Sequence, residues 1–541
     1  MAILQIDPDK CVGCGVCENS CSMDVIRLNT LFAEQEEITP CRSGCPAGVD
    51  MRGYIHLLTQ GKMEEAVRLI REALPFPAVT GHVCFHPCEG ECARKEVDEA
   101  VNINSLERYV ADYWLHERAE PAPRLYSEKT AVIGSGPAGL AAAVDLVRMG
   151  FPVTVFESES VVGGMLAAGI PEYRLPGKIL DAQIGYIRDL GVDFRTGVIF
   201  GEDLTLGDLW EEDYGAVLLA IGARKSARLQ IEGVELAHVL WGLDFLKAVK
   251  FSRKIRVMDR VAVIGGGNVA MDAALTALRL GAMEVGIYCL ESREEMPAHE
   301  EAIRIALEEG VSLNPCWGPK RVEGKTGAVA GIELVRCLSV FDAAGRFRPS
   351  FEEGTTRSVE TDMVIFAIGE NTDLSVLPAG VEAERNHILV DPETLETSLS
   401  GIFAAGVAVH GPGSVIQAVA SGKKAALSIS RYLRGMDLRA GRESELRTVR
   451  KPPCEGVEKK KRQATVLLPA DKRKKGFEEI KIGFTPERAE KEAQRCMACG
   501  SKAGIAYAED CMTCYSCERD CPEKAVYVSP APVVPRISSW G

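Results

Sequence analysis

No apolar run in this sequence of 541 residues approaches the ~20 residues needed to span a bilayer. The best candidate, Val261 to Leu280, is broken by Asn268, Asp272 and Arg279. The opening MAILQIDPDKC has no basic stretch followed by an apolar one, so it does not read as a secretory signal, and the expected location is cytoplasmic. Positive charge is also scarce: 63 Lys and Arg stand against 77 Asp and Glu, a net −14, and no basic block interleaves with aromatics. That excludes a nucleic-acid partner. The two basic runs, Lys459 to Arg462 and Lys472 to Lys475, lie in a polar stretch and read as solvated linker. With 46% hydrophobic and 26% charged residues the composition is globular, enough at this length for about three or four domains.

Cysteine, by contrast, is abundant: there are 19, and 15 of them fall in three compact groups. Without a signal sequence, a disulfide framework is disfavoured, and the spacings point to iron. Cys11, Cys14, Cys17 and Cys21 follow C-x2-C-x2-C-x3-C, a run that can wrap a 4Fe–4S cubane, with Gly13 and Gly15 admitting close backbone approach. Zinc sites more often carry two separated Cys pairs. Ser22 stands where the ferredoxin run has proline, and Cys21 serves either this cluster or a neighbouring one. Cys511, Cys514, Cys517 and Cys521 repeat the run in the tail, here followed by Pro522. Just ahead of them, Cys496 and Cys499 either complete a second tail cluster, with Cys521 serving it, or are structural. Cys41, Cys45, Cys84, Cys88 and Cys92 flank a segment, Met51 to Ala73, with apolar residues at helical spacing. Cys289, Cys316, Cys337 and Cys454 are scattered and read as ordinary thiols.

From Lys129, KTAVIGSGPAGLAAAVDLVRMGFPVTVFE runs from an apolar strand through Gly134-x-Gly136-x-x-Gly139 into an amphipathic helix and a second strand ending at Glu157. Gly134 makes the tight turn, and Gly136 lets a pyrophosphate approach the backbone. Gly139 allows helix to close on strand, while Glu157 can accept from ribose hydroxyls. Pro137 and Ala138 open the helix that faces the phosphates. From Arg260, RVAVIGGGNVAMDAALTALRLGAMEVGIYCLESREEMPA repeats the arrangement with Gly265-x-Gly267-x-x-Ala270, Asn268 and Val269 occupying the turn.

The stretches CRSGCPAGVDMRGYIHLL, HVCFHPCEGECAR and NINSLERYVADYW, followed by these two loops, resemble the glutamate synthase small subunit family. That family includes the flavin half of dihydropyrimidine dehydrogenase and the large subunit of bifurcating NADH-dependent ferredoxin:NADP oxidoreductases. The resemblance covers about residues 38 to 435, and the ferredoxin-like ends are additions. It implies an α/β fold: two nested dinucleotide-binding, Rossmann-like domains of the two-dinucleotide flavoprotein kind, a helical iron–sulfur domain, and ferredoxin-like α+β segments at both ends. The expected division is 1–35 ferredoxin-like, 36–122 helical iron–sulfur, 123–250 with 360–435 FAD-binding, 251–359 NAD(P)-binding, 436–490 a charged arm, and 491–541 ferredoxin-like. FAD is implied at the first loop, contacted by VGGM through Gly163, Gly164 and Met165, by the connector glycines Gly222 and Gly369, and by Gly406, Gly413 and Gln417 near the end of that domain. Cys45, Cys84 and Cys88 would share a cluster with Glu107, whose other reading is a helix-surface carboxylate. Cys41 and Cys92 would belong to a second cluster. The two further cysteines usual just before Cys41 are replaced by ITP, so a ligand would have to come from the ferredoxin-like segment ahead.

Two more departures bear on function. The arginine pair that grips the 2′-phosphate in NADP-using relatives falls on Leu290 and Glu291, so NAD(H) is expected ahead of NADP(H), although Arg293 could still reach a phosphate. The family's Gly-Asp is here Gly406-Val407, which removes one polar contact to the flavin, and His410 reads as a loop residue near it. The parts imply hydride exchange between nicotinamide and flavin and single-electron exchange with three to four clusters; fifteen thiols and Glu107 would supply four clusters with four ligands each. No catalytic acid, base or triad is expected. The implied protein is an electron-transfer subunit coupling NAD(H) to ferredoxin or a partner redox enzyme, within a multi-subunit assembly of the kind that in some members of the family bifurcates electrons. A glutamate synthase small subunit is the second reading, and an assembly subunit with structural cofactors a third.

Overall fold

The computed structural model describes residues 2–7, 10–11, 16–23, 25–29, 37–251, 255–440, 442, 447–448, 454, 456–499, 502–505, 511–522 and 524–530. Two five-stranded parallel sheets form its centre. In the first, the strand order is Ile402–Ala404, Tyr214–Leu219, Lys129–Ile133, Val153–Glu157, Asp193–Thr196. The apolar strands VLL and TAVI are buried on both faces, as a parallel sheet covered by helices requires. Helices Pro137–Arg148 and Val415–Leu433 pack together against it, so a segment almost 300 residues downstream completes the first domain.

The second sheet is ordered Ser312–Pro315, Glu284–Cys289, Arg260–Ile264, Met363–Phe366, Val239–Trp241. Both Val239–Trp241 and Met363–Phe366 fall outside the 251–359 expected for this domain. They join it because Met363–Phe366 pairs in register with Arg260–Ile264 and carries Val239–Trp241 on its other edge. A three-stranded antiparallel sheet, Trp317–Lys325, Ala328–Phe341 and Phe347–Glu360, extends from it.

Ahead of the sheets, residues 40–113 form the helical domain, with helices Met51–Thr59, Met63–Ala73, Pro77–Val83 and Ile103–Tyr113 around Tyr54, Ile70, Phe76 and Leu106. The charged arm is not a free linker. Helix Pro486–Ala493 packs on Met51–Thr59 and Ile103–Tyr113. Within its basic runs, Arg462 pairs with Glu89 at 2.6 Å, and buried Arg473 pairs with Glu308 at 2.6 Å.

The two ends of the chain meet. Ala2–Ile6 pairs antiparallel with Val526–Pro530, Ile26–Asn29 with Lys502–Ile505, and helix Val16–Ser20 packs on Ser516–Asp520. Leu4, Val25, Ile26, Ala525, Val526 and Val528 form one core. The sequence suggests two separate ferredoxin-like segments; together they make one lobe. Each half alone would leave a short strand and helix with one face uncovered, which is marginal in water, and the halves bury each other. Among the described residues no helix is long and apolar enough to cross a membrane.

Candidate active site and cluster positions

Both glycine loops open onto one cavity of about 1350 Å³. On the flavin side it is walled by Gly134, Gly136, Pro137, Ala138, Glu157, Gly164 and Met165, with Gly222, Gly369, Gly406, Gly413 and Gln417 closing the rim. Gly139 lies behind this wall: a Cβ there would stand 2.0 Å from the Gly134 carbonyl oxygen, so helix and strand can close only on glycine. Glu157 is buried and accepts from the Ser135 backbone N–H at 3.0 Å and the Glu159 N–H at 2.9 Å. It therefore braces the loop as well as facing the ribose position. The Gly163 N–H donates to Ser135 Oγ at 2.8 Å, tying the VGGM stretch to the first loop. The Gln417 side chain accepts from the Ser414 N–H at 2.8 Å in a capping box, so it holds the N-terminus of Val415–Leu433 while lining the cavity. His410 ends the short helix Val407–His410, exposed and off the cavity wall.

On the nucleotide side the wall is Gly265, Gly267, Asn268, Val269 and Glu291, and Ala270 is buried behind it. Gly265 has φ +138, and a Cβ would stand 2.1 Å from the Ala367 carbonyl oxygen. The Glu291 carboxylate lies over the loop, its Oε2 2.7 Å from where a Gly266 Cβ would be. Arg293 does not reach the cavity; its Nη2 bonds both oxygens of Glu300, at 2.6 and 2.7 Å.

Three features carried no sequence signal. Arg174 of the flavin domain pairs with Asp272 of the nucleotide domain at 2.5 Å, and both line the cavity. Phe85, between Cys84 and Cys88, stacks on His299 of the nucleotide domain with centroids 3.4 Å apart. Pro46, Val83, Phe85 and Pro87 bring the helical domain's cysteine loop to the cavity wall. These partners lie far apart in the chain, so no local spacing announces them.

Cys45, Cys84 and Cys88 gather near Glu107, whose carboxyl is buried and accepts from Thr80 Oγ1 at 2.7 Å. Burial pushes Glu107 up to about 7 and Cys84 up to about 12, the neighbouring acid adding to the latter. Glu107 is thus not a helix-surface carboxylate. Three thiols and an acid buried together suit a bound cation cluster, which takes ligands as thiolates. Among the described residues, Cys41 and Cys92 share a pocket not with the N-terminal ferredoxin-like run but with Cys496 and Cys499. Burial pushes Cys41 to about 12 and Cys496 to about 11. The docked arm brings the tail pair there, whereas Cys521 packs against the core of the ferredoxin lobe.

In the ferredoxin lobe Cys11, Cys17 and Cys517 are buried in the core, and Cys21, Cys511 and Cys521 pack against it. Cys14 lies outside the described residues. Cys514 is exposed. The halves mirror each other: the Val25 N–H donates to Cys21 Sγ at 3.4 Å, and the Ala525 N–H to Cys521 Sγ at 3.3 Å. Burial pushes the Cys517 thiol up, and the nearby Cys21 adds to the shift. Among the described residues no set of Cys, His, Asp and Glu side chains is closed into a coordination geometry. Cys289 and Cys337 are buried beside Cys316, and none of these joins a cluster group.

Residues 128–422, over half the chain, match the family of pyridine nucleotide-disulphide oxidoreductases. The chain belongs to that family. Residues 35–119 of this oxidoreductase match dihydropyrimidine dehydrogenase domain II with its 4Fe-4S cluster, and residues 4–27 match a 4Fe-4S binding domain. It is 38% identical over 502 residues to the NADP(+)-dependent formate dehydrogenase subunit beta of Moorella thermoacetica, across 85% of this chain and 70% of that one. It is 33% identical over 420 residues to the NADPH glutamate synthase small chain of Azospirillum brasilense, across 72% of this chain and 86% of that one. FprA from Mycobacterium tuberculosis shares the fold with a TM-score of 0.51 at 19% identity, over 60% of this chain and 87% of that one. The resemblance read from the motifs is thereby shown. The oxidoreductase is an NAD(P)H-dependent flavin and iron–sulfur electron-transfer subunit.

Proposed function

We propose that this oxidoreductase moves electrons between NAD(H) and a partner redox subunit or ferredoxin, with FAD at the first glycine loop and three to four 4Fe–4S clusters leading away. One observation carries the reading: both glycine loops and the Cys84–Cys88 loop share a single cavity. When bound, the flavin supplies the conversion between two-electron hydride and one-electron chemistry. The chain's own residues bind and orient. Backbone N–H groups in the first turns of helices Pro137–Arg148 and Asn268–Arg279 would hold the two pyrophosphates. Arg174 with Asp272 and the Phe85–His299 stack fix the two domains and the cysteine loop about the cavity. Cys45, Cys84, Cys88 and Glu107 would hold the cluster beside the cavity. In the lobe, Cys11, Cys14 and Cys17 would be completed by Cys521, and Cys511, Cys514 and Cys517 by Cys21, the crossed ligation of two-cluster ferredoxins.

NAD(H) is favoured because Glu291 can accept from a ribose 2′-hydroxyl and repels a 2′-phosphate, while Arg293 is engaged by Glu300. The two relatives named above are NADP(H) proteins, so nucleotide choice would set this chain apart from them. Anaerobic titration tests both points. NADH should bleach the flavin at lower concentration than NADPH; the reverse order overturns the nucleotide assignment, and bleaching by neither overturns the electron-transfer direction from NADH. The match over 86% of the glutamate synthase small chain supports the second reading, electron supply to an amidotransferase. Gentle anaerobic purification from native cells separates the two: a glutaminase-bearing partner supports the amidotransferase reading, and other redox chains support the first.

A further inference from the structure

We propose that Cys41, Cys92, Cys496 and Cys499 hold one 4Fe–4S cluster, which fastens the end of the chain to its front and links the cluster beside the cavity to the ferredoxin lobe. The four thiols come from three segments, yet they line one pocket whose remaining wall includes Met51, Ile55, Val101 and Ile103. Between Cys21 and Cys41 the sequence has no cysteine that could complete a Cys41–Cys92 site from the front.

The approach of the tail pair is built, not incidental. Arg495, which precedes Cys496, is fully buried. Its guanidinium donates to Asp98 at 2.7 Å, to Glu492 at 2.6 Å, and to the carbonyls of Glu99, Ala100 and Lys460 at 2.6, 3.1 and 3.0 Å. Glu492, equally buried, accepts from the Asn102 N–H at 2.7 Å and the Gln463 N–H at 2.6 Å. Arg52 Nη1 then donates to the Cys499 carbonyl at 3.2 Å. Between the two cysteines Ala498 turns the chain at φ +48. A tight turn with thiols three residues apart can present both sulfurs to one metal centre.

The position suits a relay. Cys41 and Cys45 are four residues apart, as are Cys88 and Cys92, so the two thiol sets are neighbours. Buried Tyr54 lies within electrostatic reach of Glu107 and Cys88 of one set and Cys41 of the other. Downstream in the chain, Cys499 is followed after two residues by strand Lys502–Ile505 of the lobe. Each passage would move one electron, oxidising one cluster as the next is reduced, with no bond made or broken. This relay role rests on the proposed function; the metal site does not.

The test is the double variant Cys496→Ser/Cys499→Ser of the full chain, purified anaerobically beside Cys316→Ser as a control. Iron and acid-labile sulfide should fall by about a quarter in the double variant alone, the share of one cluster in four. One set of reduced-cluster EPR signals should vanish, and limited proteolysis should now cut the arm. Flavin bleaching by NADH should persist, while reduction of the lobe clusters slows at least tenfold. Unchanged iron, or stoichiometric zinc in the native protein, overturns the site. Loss of iron with unslowed lobe reduction overturns the relay. Failure of NADH to bleach the native protein counts against the proposed function and leaves the iron readout standing. Should the double variant not fold, anomalous scattering at the iron edge from crystals of the native protein decides: an iron peak among these four sulfurs supports the site, and its absence overturns it.

Discussion

The proposed preference for NAD(H) rests on one side chain, Glu291. Its carboxylate lies over the second glycine loop, and on that reading it would accept from a 2′-hydroxyl and repel a phosphate dianion. Glu291→Ala is expected to lower kcat/KM for NADH about tenfold, the loss of about 1.4 kcal/mol from one charge-assisted hydrogen bond. The same variant should leave NADPH unchanged or improved. Rates with an artificial one-electron acceptor check it; an equal fall for both nucleotides would mean that Glu291 only supports the loop. Glu300→Gln should release Arg293 and raise the NADPH to NADH ratio further when combined with Glu291→Ala. The position of Glu291 was legible from its place after the second strand. The engagement of Arg293 was not, because Glu300 lies on the following helix and only the fold brings them together.

At the scale of elements, the strand-loop-helix units formed where their sequences placed them, since each is dictated by some thirty contiguous residues. Contacts between elements are another matter. Arg279 of helix Asn268–Arg279 and Glu309 after helix Glu300–Glu308 form a pair with both side chains fully buried, at 2.6 Å, and the guanidinium stacks 4.0 Å over the Tyr173 ring. Glu309→Gln leaves a buried cation without its counter-charge and should cost about 3–5 kcal/mol, read as a lower Tm. Disrupting the neighbouring exposed pair Arg304–Glu308 by Arg304→Ala should change stability by at most ~1 kcal/mol. The Arg174–Asp272 pair holds the flavin and nucleotide domains in register. Arg174→Met should therefore slow flavin reduction by NADH about tenfold at unchanged FAD content, measured by stopped flow. Unaltered reduction would show that the domains are held without it.

Across the whole molecule, the two ends of the chain form one ferredoxin lobe, so each half depends on the other. Removing residues 1–29 strips Ala525, Val526 and Val528 of their cover and, on the crossed ligation proposed above, would deprive the Cys511 group of Cys21. The EPR signals of both lobe clusters should disappear together while FAD content stays, as checked by metal analysis and absorption spectra. Loss of one cluster alone would mean that ligation is not crossed.

The kinds of chemistry present are written in local stretches of sequence. Cysteine runs, glycine loops and an acid after a strand act over short stretches, where spacing alone dictates which groups can reach a common ligand. Tertiary structure decided which pieces work together: Cys41 and Cys92 with Cys496 and Cys499, strand Ala2–Ile6 with Val526–Pro530, Phe85 with His299. Such pairings span tens to hundreds of residues, and they are selected by complementary burial and charge between surfaces that exist only once each element has folded.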